Sequence, residues 1–379
     1  MARPAALSGL HAAAALAGVS IMTVSRVLRN SPHVAPATRA AVERAVKRTG
    51  YRPDPQVARL MARVRSHRRT GVASVIAVVR DDSPDDALHD VAYQYVAIDD
   101  IRRRAEQHGY RAEEFFLGRG GITARRLEQI LAARGIEGLL MSPQSSRNIG
   151  HEFDYSRFAS ATFGYGLQSP ALHRVSTNMT RGIHLAAAEL AARGYQRIGL
   201  AITQWVNHRS DSTYSGAMLN FQQSLPARQR VPVLLFPENN LAREASIFCA
   251  WVKRHRPDAI ISFDSYVPDW LTKKLGLRIP EDVALIVHDW NPQRSQFAGI
   301  HHQRPHVAAA AVDLVATQLM QNERGVPNVP RQILIPPSWI EGATVRRGPT
   351  STVTAPRGQG AATTKTCAKA APSVGTLRV

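Results

Sequence analysis

A short stretch near the N-terminus, AGVSIMTVSRVL over residues 17–28, carries residue types that bind nucleic acid. Gly18 and Ser20 separate two short apolar-periodic runs, and the second run places hydroxyl and guanidinium groups opposite its apolar face. Hydroxyls and arginines hold phosphates, and an arginine can donate two hydrogen bonds to a guanine edge. The pattern predicts a DNA-recognition helix, with a solvated helical face as the alternative. Its outward positions are Ile21, Met22, Ser25, Arg26 and Arg29, and the candidate phosphate donors are Ser20, Thr23 and Ser25.

The net charge of +19 is concentrated at the two ends of the 379-residue chain. Residues 1–70 hold 13 lysines and arginines against 2 acidic residues, and residues 347–379 hold 5 against none. The long middle segment is therefore close to neutral. A basic head on a near-neutral body indicates either a polyanion partner or a solvated arginine excess, and charge alone does not choose between them.

The elements that position the stretch are predicted from apolar periodicity. The pattern indicates helix, turn and helix over residues 7–30 and a third helix over about 36–49. Gly18 suits the tight turn, Ser20 suits the cap of the second helix, and Gly50 suits the end of the third. Residues 51–70 are basic, contain two prolines and are expected to form a linker with a short helix at about 55–63.

From residue 72 apolar strands alternate with amphipathic helices, which predicts an α/β fold with parallel doubly wound sheets. About 270 residues of this alternation indicate two lobes. Strands are expected at 72–79, 111–117, 138–141, 197–202, 231–236, 259–263, 283–287 and 331–335, and helices at 93–107, 123–134, 181–193, 214–224, 241–255, 267–275 and 305–321.

Cysteine usage and hydropathy indicate the cellular compartment in which the protein is expected. Cys249 and Cys367 lie far apart and imply no disulfide framework, so a reducing cytoplasm is expected. We find no apolar run of about eighteen residues and no secretory signal, so no membrane span is expected. The C-terminal residues, rich in Thr, Ala, Gly and Pro, are expected to be disordered.

The head resembles that of the LacI/GalR family of transcriptional regulators. The shared segments are AGVS, TVSRVL, Asn30, the V-x-x-x-T-R run at 34–39 and GYRPDP. In the body, RGYQRIGLA (193–201), HRPDAIISFD (255–264) and LGLRIPEDVALIVHD (275–289) resemble family landmarks. The resemblance spans roughly residues 7–346. It implies a homodimeric, sequence-specific regulator with periplasmic-binding-protein-like lobes, and it adds Asn30 to the expected DNA contacts.

The resemblance also implies a division of the chain. We expect a helix-turn-helix head at 1–54, a hinge at 55–70, a two-lobed effector and dimerisation domain at 71–346 and a basic tail at 347–379. By the resemblance the hinge folds into a helix on operator DNA, with Leu60 as a minor-groove wedge and Val57 and Ala58 beside it. An apolar wedge unstacks a base step and kinks the duplex. The alternative is that Leu60 is one apolar residue of a linker.

The sequence departs from the family at its two contact surfaces. Ile21 and Met22 occupy base-reading positions and donate no hydrogen bonds, so operator preference does not transfer. In the pocket, Thr213 stands where sugar-binding members carry an arginine, although the late aspartate is kept as Asp289. A sugar pocket uses carboxylates, an arginine and a stacking aromatic. The alternative for each candidate is a loop residue at a strand end or, for the tryptophans, a residue of the packed core. The candidate effector residues are Asp81, Trp205, Arg209, Thr213, Phe263, Asp264, Asp289 and Trp290.

No catalytic, cofactor or metal site is expected. His288, His301 and His302 lack the spacing of a metal site, and no phosphate-binding or nucleophile motif is found. The sequence therefore predicts a cytoplasmic repressor, with pseudo-palindromic operator DNA and a small-molecule effector, such as a sugar or related polar metabolite, as partners. A solute-binding protein or an α/β enzyme on the same fold, and a regulator that has lost its ligand, remain as alternatives.

Overall fold

The computed structural model describes residues 9–28, 31, 33–51, 74–80, 96–117, 122–142, 153–237 and 240–348. The head consists of α1 (Leu10–Ala17), α2 (Ile21–Leu28) and α3 (Pro36–Thr49). The predicted caps are confirmed, because Gly18 and Gly50 both adopt left-handed backbone angles with φ of 65°. Among the described residues no single helix is long and apolar enough to cross a membrane, and α1 with α2 meets that requirement only as a pair bent by 102°.

The body contains two six-stranded sheets among the described residues. Their strands are β1 (Ser74–Arg80), β2 (Tyr110–Phe116), β3 (Gly138–Ser142), β4 (Ala159–Phe163), β5 (His173–Thr177), β6 (Ile198–Thr203), β7 (Leu234–Phe236), β8 (Ala259–Ser262), β9 (Ala284–Val287), β10 (Ala298–His301), β11 (Gln332–Ile335) and β12 (Ser338–Ile340). The strand orders are β11-β5-β4-β3-β1-β2 and β12-β10-β9-β8-β6-β7. All neighbours pair in parallel except β10 and β12, which pair antiparallel.

Helices cover both faces of each sheet. They are α4 (Ile98–Gln107), α5 (Ala124–Ala133), α6 (Met179–Ala192), α7 (Gln204–Arg209), α8 (Thr213–Gln223), α9 (Leu241–His255), α10 (Val267–Asp269) and α11 (Arg304–Gln321), with a wider π-type turn over Trp270–Lys274 after α10. Burial on both faces explains why most strands are continuous apolar runs rather than alternating ones. Fold class and two-lobe organisation are therefore confirmed.

We call the first sheet with α4, α5 and α11 lobe 1, and the second sheet with α6 to α10 lobe 2. The chain crosses between the lobes three times, after β5, between β10 and α11, and between β11 and β12. The helix α11 follows a strand of lobe 2 but packs on β3, β4 and β5 of lobe 1. Its buried residues Val307, Val312 and Val315 share a core with Ile76 of β1.

A buried amide fastens α11 to lobe 1. Gln318 accepts a hydrogen bond from the backbone N–H of Ser160 at 3.2 Å and donates one to the Ser160 carbonyl oxygen at 3.2 Å. Ser160 lies in β4, directly before Ala161, the residue at which the pairing of β4 with β5 begins. The amide therefore satisfies peptide groups of β4 that would otherwise be buried without a partner.

Four strands were not predicted from the sequence: β4, β5, β10 and β12. The first two carry buried polar residues, among them Thr162, His173 and Ser176, which hide the apolar signal of a strand. The last two lie outside the alternation of strands and helices, since within the described residues 240–348 no α-helix separates β9 from β10 or β11 from β12. The expected helix at 267–275 is also different in form, because it begins as α10 and ends as the π-type turn.

Candidate functional site

The helix α2 packs one face into the head and presents the other to solvent. Val24 and Val27 are buried with Ala13 and Val42, as the periodicity predicts. On the opposite face Met22 is 63% exposed, and Ile21 and Arg26 are also exposed. The sequence pattern therefore gives a short helix that packs against the head on one face and is accessible to solvent on the other.

Ser20 caps α2, as predicted. Its Oγ accepts a hydrogen bond from the backbone N–H of Thr23 at 3.1 Å and lies 2.9 Å from the Thr23 hydroxyl. The cap holds both hydroxyls at the exposed start of the helix, where phosphate oxygens of a docked duplex would be received. Ser25 is half-buried in the next turn. The candidates Arg29, Asn30, Val57, Ala58 and Leu60, and the effector candidate Asp81, lie outside the described residues.

The effector candidates of lobe 2 meet at one edge of its sheet. The strands β6, β8 and β9 are parallel neighbours, so their carboxyl ends lie side by side. Trp205 and Arg209 follow β6 on α7, Phe263 and Asp264 follow β8, and Asp289 follows β9. This edge is where ligands bind in open α/β sheets.

Three aromatic rings pack against one another at this edge of the sheet. Phe263 stacks on His288 with ring centroids 4.8 Å apart, and the Tyr214 ring contacts both edge-on at 4.7 and 5.0 Å. His288 is fully buried, and α6 approaches it so closely that a Cβ on Gly182 would lie 2.9 Å from its Nε2. Phe263 is thus placed beside the site with one side already covered by packing.

Asp289 forms an ion pair with Arg304, a partner that sequence reasoning missed. Arg304 is the first residue of α11, so the pair joins a strand end of lobe 2 to a helix of lobe 1. Both side chains are largely buried, at 12% and 18% exposed. The Nε of Arg304 is buried and has no hydrogen-bond partner among the described residues. The candidate effector residue Asp289 is therefore already paired with a cation from the opposite lobe.

Two buried imidazoles surround this ion pair. His302 is 4% exposed, with its Nε2 3.9 Å from Asp289 Oδ1, and its ring lies 5.1 Å from that of His288. Burial lowers the pKa of His302 to about 4, and Arg304 also opposes its protonation. Burial and the neighbouring His302 lower the pKa of His288 well below its ordinary value. The lowered pKa values of His288 and His302 leave both rings neutral near pH 7.

The remaining candidates have local partners. The Arg209 guanidinium lies over the Trp205 ring, 4.9 Å from its centroid. Thr213 begins α8 after Asp211 and Ser212, which both adopt positive φ, at 54° and 55°. Such angles are costly outside glycine and concentrate at functional sites.

Trp290 donates its indole N–H to the Phe297 carbonyl oxygen at 3.1 Å and packs against the Gly299 position. These contacts favour the packing alternative for Trp290. Within the described residues no group of three or more histidine, cysteine or acidic side chains is arranged to hold a metal ion.

The geometry defines a class of protein in which a helix-turn-helix head is joined to two α/β lobes. Comparison with family models agrees, since residues 10–54 match the bacterial regulatory proteins of the lacI family and residues 187–345 match the periplasmic binding protein-like domain. The chain belongs to the LacI family of transcriptional regulators.

Individual relatives are distant. The HTH-type transcriptional regulator CelR of Thermobifida fusca is 34% identical over 134 residues, which are 35% of this chain and 36% of that protein. The HTH-type transcriptional repressor PurR of Edwardsiella ictaluri (strain 93-146) is 24% identical over 351 residues, covering 88% of this chain and 95% of that protein.

Solved structures share the fold. A complex of the transcriptional regulator CelR with cellobiose matches with a TM-score of 0.53 and 19% identity, covering 90% of this chain and 100% of that chain. The lac repressor dimer bound to operator and the anti-inducer ONPF matches with a TM-score of 0.53 and 20% identity, covering 88% and 97%.

Proposed function

We propose that this protein is a homodimeric repressor that binds a pseudo-palindromic operator and is controlled by a small polar effector between its lobes. The observation that carries the proposal is the exposed outer face of α2, where Met22 and Arg26 lie open to solvent on a capped, firmly packed helix. A recognition helix must offer such side chains to base edges. We also propose a cytoplasmic location and no catalytic activity, since operator binding requires access to the DNA and no reacting group.

Selection from a pool of random duplexes tests DNA recognition. The full chain should enrich one palindromic sequence, and Arg26→Ala should weaken binding to that sequence by about fivefold or more, because an arginine pair with guanine discriminates by about 1–3 kcal/mol. The matched control is Arg125→Ala, which removes the same charge from an exposed position on α5. Enrichment of no sequence would contradict the proposal.

Effector control is inferred from the position of Asp289 and Arg304. Because the ion pair spans the lobes beside a chain crossing, a ligand that takes the Asp289 carboxylate competes with Arg304 and changes how the lobes close. Closure would then alter the distance between the two heads of a dimer. Effector and operator binding are therefore coupled reciprocally.

Carbohydrates are the first effector class to test, since cellobiose is bound to CelR, a structural neighbour of this chain. Thermal melting of the full chain with cellobiose and a panel of neutral sugars should reveal a stabilising ligand. The same ligand should lose its effect on Asp289→Asn.

A second candidate is a regulator that no longer binds a ligand. One observation favours this candidate. Arg304 already forms an ion pair with Asp289, in a pocket where Thr213 stands in place of the family's arginine. In that case no sugar shifts the melting temperature, and operator affinity is unchanged by all of them. A ligand that shifts both would exclude this candidate.

A further inference from the structure

The head exposes apolar side chains on a surface that must meet a polyanion. Met22 is 63% exposed, the highest value among the large apolar residues of the described head, and Ile21 is 37% exposed. A thioether or a branched alkyl group neither donates a hydrogen bond nor carries a positive charge, so it does not bind phosphate oxygens. An apolar side chain at the start of a recognition helix therefore indicates an apolar feature on the DNA itself.

Met22 and Arg26 form one continuous surface. They are separated by one helical turn, and an Arg26 Nη2 N–H points at the Met22 sulfur, with 4.0 Å between nitrogen and sulfur. The contact holds the guanidinium beside the thioether, so the two side chains reach neighbouring base pairs together. In the major groove the guanine edge is the preferred arginine target, and the thymine C5-methyl is the apolar group available to a methionine.

We infer that Met22 recognises a thymine methyl group in each operator half-site, next to a guanine bound by Arg26. The inference rests on the proposed function, because it assumes that α2 lies in the major groove. Because Met22 donates no hydrogen bond to a base, the thymine methyl group is the feature by which this side chain distinguishes base pairs. The half-site should therefore contain a guanine and a thymine on adjacent base pairs.

The test removes only the methyl group. Each thymine of the selected operator is replaced in turn by deoxyuridine, which keeps every hydrogen-bonding group of the base, and the dissociation constant of the full-length protein is measured by fluorescence anisotropy. Loss of one buried methyl group should weaken binding about fourfold at one half-site and roughly fifteenfold when both half-sites are changed. Replacement by 5-bromodeoxyuridine, whose bromine has the size of a methyl group, should restore affinity.

Two variants assign the effect to Met22. Met22→Ala should bind the thymine and deoxyuridine duplexes with nearly equal affinity, because the alanine side chain lacks the three heavy atoms by which methionine reaches the methyl group. Leu16→Ala is the matched control, since Leu16 is also an exposed apolar residue of the head, at 44%, but lies on α1. It should keep the full difference between the two duplexes. Both side chains are exposed, and unchanged circular dichroism spectra would show that each head remains folded.

Two results would overturn the inference while leaving the proposed function intact. One is a selected operator whose affinity is insensitive to deoxyuridine at every thymine. The other is a deoxyuridine penalty that persists in Met22→Ala. A protein that selects no duplex sequence at all would instead contradict the proposed function, and the inference with it.

Discussion

At the scale of single residues, the ion pair of Asp289 and Arg304 is the most consequential feature of the body. It puts opposite charges from two lobes in direct contact at the edge where an effector is expected. A largely buried charge is costly when its partner is removed, whereas replacing both partners costs much less. Loss of Arg304 alone would therefore leave the Asp289 carboxylate largely buried without a cation, and a ligand that binds Asp289 must displace Arg304.

A double-mutant cycle measures this pair. Arg304→Met should lower the free energy of unfolding by about 1–3 kcal/mol, because the Asp289 carboxylate stays largely buried without its cation. Asp289→Asn combined with Arg304→Met should cost less than the sum of the two single changes. Urea unfolding of the four proteins provides the values. Strict additivity would show that the ion pair does not couple the lobes.

The buried imidazoles give stability a pH dependence of defined sign. Unfolded histidines take up protons below about pH 6.5, whereas His302 in the folded chain stays neutral down to about pH 4. The unfolded state thus binds more protons in this window, so the free energy of unfolding falls as the pH decreases from about 6.5 to 4, by about 1.4 kcal/mol per unit for each such group.

Urea unfolding between pH 7 and 5 tests this dependence. His302→Gln should make the decrease in stability shallower than in the parent protein. His208→Gln, which removes an exposed imidazole from the same lobe, is the control and should keep the parent slope. Equal slopes in all three proteins would refute the assignment.

At the scale of elements, the sequence predicts those with regular periodicity and misses those defined by tertiary contacts. The helices of the head and most helices of the body agree with prediction within a few residues, because their apolar faces repeat every turn. The strands β4 and β5 were missed because they bury polar side chains such as Thr162 and His173. Their burial depends on α11, which reaches lobe 1 only after the chain has passed through lobe 2.

The candidate site residues were likewise predictable from the sequence where a local pattern or a resemblance marks them, and not where a distant segment supplies them. The outward face of α2 follows from local periodicity, and Asp289 follows from a family resemblance. Arg304 and His302 had no local signal, since their importance comes from the crossing between β10 and α11. A partner supplied by the opposite lobe becomes visible only when the topology is known.

The cap of α2 offers a test at this scale. Ser20→Ala removes the oxygen that accepts from the Thr23 N–H, and should destabilise the helix by about 1 kcal/mol. Hydrogen exchange of the α2 amides, followed by mass spectrometry, should become about fivefold faster. Ser20→Asn keeps a capping oxygen and should exchange at nearly the parent rate. Equal protection in Ser20→Ala would show that packing of Val24 and Val27 alone holds the helix.

At the scale of the whole molecule, the proposed function requires that the two heads of a dimer bind one duplex together. Three chain crossings connect the lobes, and under the proposed function they would transmit closure at the Asp289 edge. The basic head supplies affinity for phosphates without sequence preference. Specificity must then come from the outer face of α2 and from deformation of the duplex between the half-sites.

The proposed wedge predicts a particular pattern of loss. Leu60→Ala should weaken binding of the full palindrome at least tenfold, because the central step is no longer held open. Binding to an isolated half-site should change little, since one head contacts it without the kink. Gel-shift titrations with both duplexes make the comparison. Equal losses on the two duplexes would place Leu60 in the linker alone.

The most direct measurement is the ratio of dissociation constants for the selected palindrome and a scrambled duplex of the same composition, at physiological salt. We expect the palindrome to bind at least a thousandfold more tightly, with Arg26→Ala reducing that ratio and Arg125→Ala leaving it unchanged. A ratio near one, with affinity falling steeply as salt is added, would show that the basic head binds only as an electrostatic patch. That result would contradict sequence-specific recognition by α2.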